Sequence, residues 1–126
     1  MTVVLDASAA YDLLTGETSA KKMAGVDELI APDLIVPELL NARWNVTQSG
    51  GSAPKLERVI AFLERLRLLP TLAYARDAAI LAQSLGHPVY DCLYVAIAQR
   101  ERATLLTLDE RIARKLRAAK LARILR

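Results

Sequence analysis

Apolar residues come along this chain in short bursts separated by stretches of helical spacing. Thr2-Val3-Val4-Leu5 is a β-rich run that stops at Asp6, after which Ala7 to Tyr11 begins a helical pattern. Thr15 to Ala24, with Gly16, reads as a break followed by a helix. Leu29-Ile30-Ala31 suits a second strand, and Pro32-Asp33 turns the chain. In Leu34 to Val46, Pro37-Glu38 marks a helix start, with Leu39, Leu40, Ala42 and Trp44 behind it. Gln48 to Pro54 is the clearest loop. Leu56, Val59, Ile60, Leu63 and Leu66 have helical spacing, Leu68 to Leu72 suits a strand, and Arg76 to Leu85 a helix stopped by Gly86-His87-Pro88.

The stretch from Pro88 onward organises the rest. From Tyr90 to Ala98 every residue is apolar or aromatic except Asp91, so a helix opening near Pro88 is buried all round and carries one charge near its start. Thr104 to Leu108 is a short apolar strand ending on Asp109, and a further helix begins behind that acid. The close, Leu121 to Leu125, is ambiguous between strand and helix tail. Strands alternating with helices predict a compact three-layer α/β/α sandwich around a short parallel sheet, with residues 1–126 as one domain.

Four acids stand at the end of a strand or the start of a helix: Asp6, Glu38, Asp91 and Asp109. Each has a plain explanation. Asp6 and Asp109 can cap helices, Ser8 is a good cap in its own right, and Glu38 and Asp91 suit the positive end of a helix dipole. However, strands of a parallel sheet end on one edge, where open α/β sheets place their sites. Carboxylates brought together there would repel, and a hard divalent cation with oxygen ligands, Mg²⁺ or Mn²⁺, removes that penalty. Such an ion can activate water and neutralise charge in an in-line displacement at phosphorus.

Composition narrows the alternatives. Apolar content of 53% with 25% charge argues for a globular chain, and no apolar run is long enough to span a bilayer. The N-terminus lacks the basic-then-apolar order of a secretory signal, and Cys92 stands alone, so a cytosolic, reducing compartment is expected. His87, Asp91 and Cys92 do not make a thiol nucleophile, because neighbouring helix positions point about 100° apart and a cysteine in an apolar run is usually core. Asp6-Ala7-Ser8 lacks the second acid of aspartyl-phosphate phosphatases. No zinc cluster, P-loop or dinucleotide fingerprint is present.

Net charge is +3, yet residues 110–126 carry seven basic groups against one acid, +6, which leaves −3 for the first 109. A polyanion partner fits that split, as does an ordinary solvated helix face. Arg111, Arg114 and Lys115 fall on one helical stripe suited to a nucleic-acid backbone, with Ile112, Leu116 and Ala119 on the buried side.

Val-Val-Leu-Asp-Ala-Ser, then Pro-Glu-Leu-Leu-Asn-Ala, then Tyr-Asp-Cys-Leu-Tyr-Val-Ala-Ile-Ala followed by Leu-Leu-Thr-Leu-Asp-Glu-Arg form an ordered set that resembles the PIN-domain ribonucleases, and more narrowly the VapBC-type toxins. The resemblance spans essentially the whole chain. It implies a metal site of Asp6, Glu38, Asp91 and Asp109, with Ser8 and Thr107 as supporting polar members and Glu38 serving the attacking water. It also implies an endoribonuclease leaving a 5′-phosphate and a 3′-hydroxyl, a prokaryotic source, a homodimer, and an antitoxin that blocks the cleft. Two other readings stand beside it: a non-catalytic PIN-like RNA-binding or assembly module, and a cellular RNA-processing nuclease without an antitoxin.

Overall fold

The computed structural model describes residues 1–16, 20–121 and 124. Four strands, β1 (Thr2–Leu5), β2 (Glu28–Pro32), β3 (Arg67–Leu69) and β4 (Thr104–Leu106), form one parallel sheet in the order β3-β2-β1-β4. Among the described residues, six α-helices accompany them: α1 (Ala7–Thr15), α2 (Ile35–Gln48), α3 (Leu56–Arg65), α4 (Ala75–Leu85), α5 (Val89–Arg100) and α6 (Glu110–Ala119). Val3, Val4 and Leu5 are wholly inaccessible on both faces of β1, as a central strand in a three-layer sandwich must be. The long crossovers needed between parallel strands supply the covering helices.

β1 is the pivot of the topology. The chain leaves it toward β2 and β3 on one side and returns to β4 on the other, so the switch point falls between β1 and β4. Their register pairs Leu5 with Leu106, which sets Asp6 and Thr107 side by side at the C-terminal edge. The Asp6 N–H continues the ladder, donating to the Leu106 carbonyl at 3.2 Å.

α5 packs along β1, β2 and β4, and α4 packs against α5. Seven consecutive α5 residues, Cys92 to Ala98, are buried, which explains why its sequence has no polar stripe. The α4–α5 corner is a left-handed Gly86 (φ 60°), where a side chain would be strained whatever the space around it.

The structure corrects four details expected from the sequence. The last strand ends at Leu106 rather than Leu108, because the next amides donate to side chains: Leu108 N–H to Ser8 Oγ and Asp109 N–H to Thr107 Oγ1. The third strand ends at Leu69, and Thr71–Tyr74 forms a 3₁₀ turn whose Thr71 N–H donates to Asp33 at 3.1 Å. Ala119 is exposed, and Ala113 joins Ile112 and Leu116 in the buried face of α6, since the helix ends at a left-handed Lys120 just beyond Ala119. Of the break and helix expected over 15–24, Thr15 ends α1 with Gly16 as its cap and Ala20–Met23 is a 3₁₀ segment rather than an α-helix, while 17–19 lie outside the described residues. At the chain end, Ile124 makes one parallel bridge to Leu105; residues 122, 123, 125 and 126 lie outside the described set.

Candidate active site

Asp6 is the most enclosed of the four acids, at 8% exposure. It caps α1 by accepting from the Ala9 N–H at 2.9 Å, and the same oxygen accepts from Ser8 Oγ at 2.6 Å. Its second oxygen accepts from the Thr107 hydroxyl. Ser8 therefore does not cap α1; its oxygen instead receives the Leu108 N–H at 3.2 Å. The two strand ends are thus stitched together by hydroxyls through one buried carboxylate. Burial raises the pKa of Asp6; the hydroxyl and amide donors pull it down, and the charge of Asp91 pushes it up again.

Glu38 enters from the first turn of α2, half-buried, with the Tyr94 hydroxyl donating to its Oε1. Burial is again the largest cause of a raised pKa; the Tyr94 bond opposes it, and Asp91 and Asp6 add to it. Tyr94, at 2% exposure, is held protonated far above the usual phenol range by burial and by the same carboxylates, so it acts as a donor. Asp91, one turn earlier on α5, is felt electrostatically by both Asp6 and Glu38. Its other neighbours lie across the corner. Atoms of His87, Asp91 and Asp109 sit within 4.8 Å of one another, a spacing that a single cation can bridge. Asp109 also caps α6, accepting from the Arg111 N–H at 2.9 Å.

The structure therefore brings Asp6, Glu38 and Asp91 into mutual electrostatic contact and places Asp109 beside Asp91. Oxygen donors from carboxylates are what a hard divalent cation requires; Asp6 and Glu38 are raised chiefly by burial and to a lesser extent by neighbouring acids. A PIN-domain family model matches residues 3–117, a span that contains all four acids. The chain belongs to the PIN-domain family.

Among curated relatives, the chain is 32% identical over 124 residues to Ribonuclease VapC3 of Pyrobaculum aerophilum, covering 91% of this chain and 95% of that protein. Two solved structures share the fold. PAE2754 from Pyrobaculum aerophilum superposes with a TM-score of 0.70 at 21% identity, over 91% of this chain and 84% of its own. VapBC2 from Rickettsia felis, solved bound to a DNA fragment from its promoter, gives 0.62 at 15% identity, over 98% and 97%.

In this PIN domain, two site neighbours are hidden from a reading of the sequence. Tyr94 reads as one more apolar residue of a buried helix, and its partner Glu38 lies 56 residues away. His87 reads from the sequence as part of a helix stop and as a rejected thiol partner. Its i,i+4 spacing to Asp91 is the available signal, and the two side chains meet at 2.6 Å. Cys92 is wholly buried with its thiol pKa pushed up, first by burial and then by Asp91, so it remains core. Of the basic stripe, Arg111 and Arg114 are exposed, whereas Lys115 is turned inward: its Nζ donates to the Gly86 carbonyl at 2.9 Å and lies 3.2 Å from His87 Nδ1.

Proposed function

We propose that this VapC-like PIN domain is a Mg²⁺- or Mn²⁺-dependent endoribonuclease, the toxin of a type II toxin–antitoxin pair. One observation supports the reading: Asp6, Glu38 and Asp91 bear on one another electrostatically and Asp109 lies beside Asp91, in a chain of this family. Asp6, Asp91 and Asp109 would hold the ion, directly or through water, and Glu38 completes the set. Helix capping explains Asp6 and Asp109, but α2 is not capped by Glu38 nor α5 by Asp91. Glu38 and Asp91 stand in first helical turns, where the dipole favours an acid, and their not capping favours this reading over an assembly module whose acids serve only as caps.

The bound ion would supply Lewis-acid stabilisation of the phosphate and lower the pKa of the attacking water. Glu38, with its raised pKa, is suited to orient that water and take its proton, and Tyr94 keeps the carboxylate aimed. Attack at phosphorus breaks the bond to the 3′-oxygen and leaves a 5′-phosphate and a 3′-hydroxyl. Asp6 is held too tightly by Ser8, Ala9 and Thr107 to swing as a base and suits a fixed ligand. The relatives' names support an antitoxin partner, and we extend the reading to a homodimer in the cytoplasm. Among the described residues, no helix is long and apolar enough to cross a membrane.

The test is cleavage of RNA by purified protein with Mg²⁺, with Mn²⁺ and with EDTA, followed by mapping of both ends. Cleavage that survives EDTA, or ends carrying a 2′,3′-cyclic phosphate, would exclude the mechanism.

The exposed arginines of α6 provide a second measurement. Arg111, whose side chain is 80% exposed, and Arg114 stand next to the Asp109 cap and suit binding to a phosphate backbone. Changing both to Gln should weaken RNA binding and flatten its log–log salt dependence by up to about 1.4, roughly 0.7 for each phosphate of a single strand that is no longer neutralised. The preferred cut position should not move. An unaltered salt slope would assign the pair to a plain solvated face.

A further inference from the structure

His87 is the chain's only histidine, and its side chain is 2% exposed. The α4–α5 corner fixes it rigidly. Its N–H donates to the Ala82 carbonyl at 3.1 Å, its carbonyl receives the Cys92 thiol at 3.9 Å, and the preceding Gly86 carbonyl is bound by Lys115. Both ring nitrogens are engaged, Nδ1 by Lys115 Nζ at 3.2 Å and Nε2 by Asp91 Oδ2 at 2.6 Å.

Donor counting settles which nitrogen carries the proton. An ammonium has protons to give and no lone pair to receive one, so Nδ1 must accept from Lys115. The ring proton then sits on Nε2 and points at Asp91 Oδ2. A proton-bearing Nε2 cannot ligate a cation. Although His87, Asp91 and Asp109 lie close enough to share an ion, the imidazole's place in that trio is to support a ligand.

We propose that His87, locked in its tautomer by Lys115, is a positioning residue that fixes the Asp91 carboxylate for metal binding. With Oδ2 taken by the imidazole N–H, Oδ1 is the oxygen left to ligate an ion. Partners of this kind behind a metal ligand restrict its rotation, and their loss typically weakens metal affinity by about 10–100-fold. Lys115 thereby belongs to the support of the metal site, reached from α6 across the corner, rather than to the RNA-binding stripe. The proposal rests on the reading of the acids as an ion site.

The experiment measures Mn²⁺ affinity by calorimetry on tag-free protein without RNA, for the parent, Asp91→Asn, His87→Leu, His87→Gln and Lys115→Met. A parent that binds no Mn²⁺, or an Asp91→Asn variant that binds it like the parent, removes the ion-site reading itself. With that reading standing, His87→Leu should bind about tenfold or more weakly. His87→Gln should stay within a few-fold, because its amide can donate to Asp91 and accept from Lys115, and Lys115→Met should fall between. A folded His87→Leu with parental affinity would overturn the positioning role. Should that variant fail to fold, the nitrogen NMR spectrum of the single imidazole in the parent decides, together with His87→Gln and Lys115→Met. It should report a proton on Nε2 and a bare Nδ1, with and without Mg²⁺, and mixed tautomers in Lys115→Met. A proton on Nδ1 would contradict the proposal. So would loss of Mn²⁺ binding in His87→Gln with the ring nitrogen shifting sharply on Mg²⁺ addition, because the histidine would then itself be a ligand.

Discussion

Asp91→Asn should lower RNA cleavage by about 10²–10⁴-fold while leaving the metal-free protein at least as stable as the parent. The two halves of that expectation have separate causes. An asparagine at 91 keeps a carbonyl oxygen for the His87 N–H, so the corner between α4 and α5 retains its hydrogen bond. What disappears is a negative charge that Asp6 and Glu38 both feel, together with the strongest oxygen donor near Asp109. Glu38→Gln should behave likewise, since its amide oxygen can still accept from Tyr94. Cleavage rates and thermal melts of both variants, in chelator and in Mg²⁺, are the measurements. If both variants melt several degrees lower in chelator and still cleave within a few-fold of the parent, the acids are structural and the catalytic assignment is wrong.

Removing the metal should itself produce a large shift. At 100 times its dissociation constant, an ion that binds only the folded state adds about 2.7 kcal/mol, which for a chain of this size is roughly 10 °C in Tm. EDTA should withdraw that increment from the parent, and little of it from Asp6→Asn or Asp109→Asn. The metal-free protein should also carry a characteristic pH dependence. Asp6 and Glu38 have folded pKa values above their ordinary 3.8 and 4.5. Between the ordinary and the raised values the folded state binds more protons than the unfolded state, so stability falls as pH rises through that window. The stabilisation is complete below the ordinary values and gone above the raised ones. Accordingly, in chelator Glu38→Gln should melt above the parent at neutral pH, and the difference should shrink as the pH falls toward 4.5. A constant offset across that range would mean that the charge on Glu38 is not what the substitution relieves.

Much of this arrangement was legible because it is written locally. A β-rich run, an acid and a helical pattern follow one another within a few residues at both Asp6 and Asp109, and hydrogen bonds to Ala9 and Arg111 realise that grammar as caps. Capping does not exclude a role in the proposed site, since a carboxylate has lone pairs for both. The buried helix at Tyr90 to Ala98 announced itself by its lack of a polar face, although Tyr90 itself is 61% exposed.

Sequence alone determined the alternation of strands and helices, the glycine stop before α5 and the four acids at element ends, because hydrophobic period, capping and turn chemistry act over a few residues. The tertiary structure decided which neighbours those acids have. Tyr94 reaches Glu38 across 56 residues, Lys115 reaches His87 across 28, and Thr107 reaches Asp6 across 101. It likewise ended β4 at Leu106, where amides found hydroxyl oxygens instead of a neighbouring strand. No local pattern carries such pairings, because they depend on sheet order and register, and these are set by burying apolar surface over the whole chain at once.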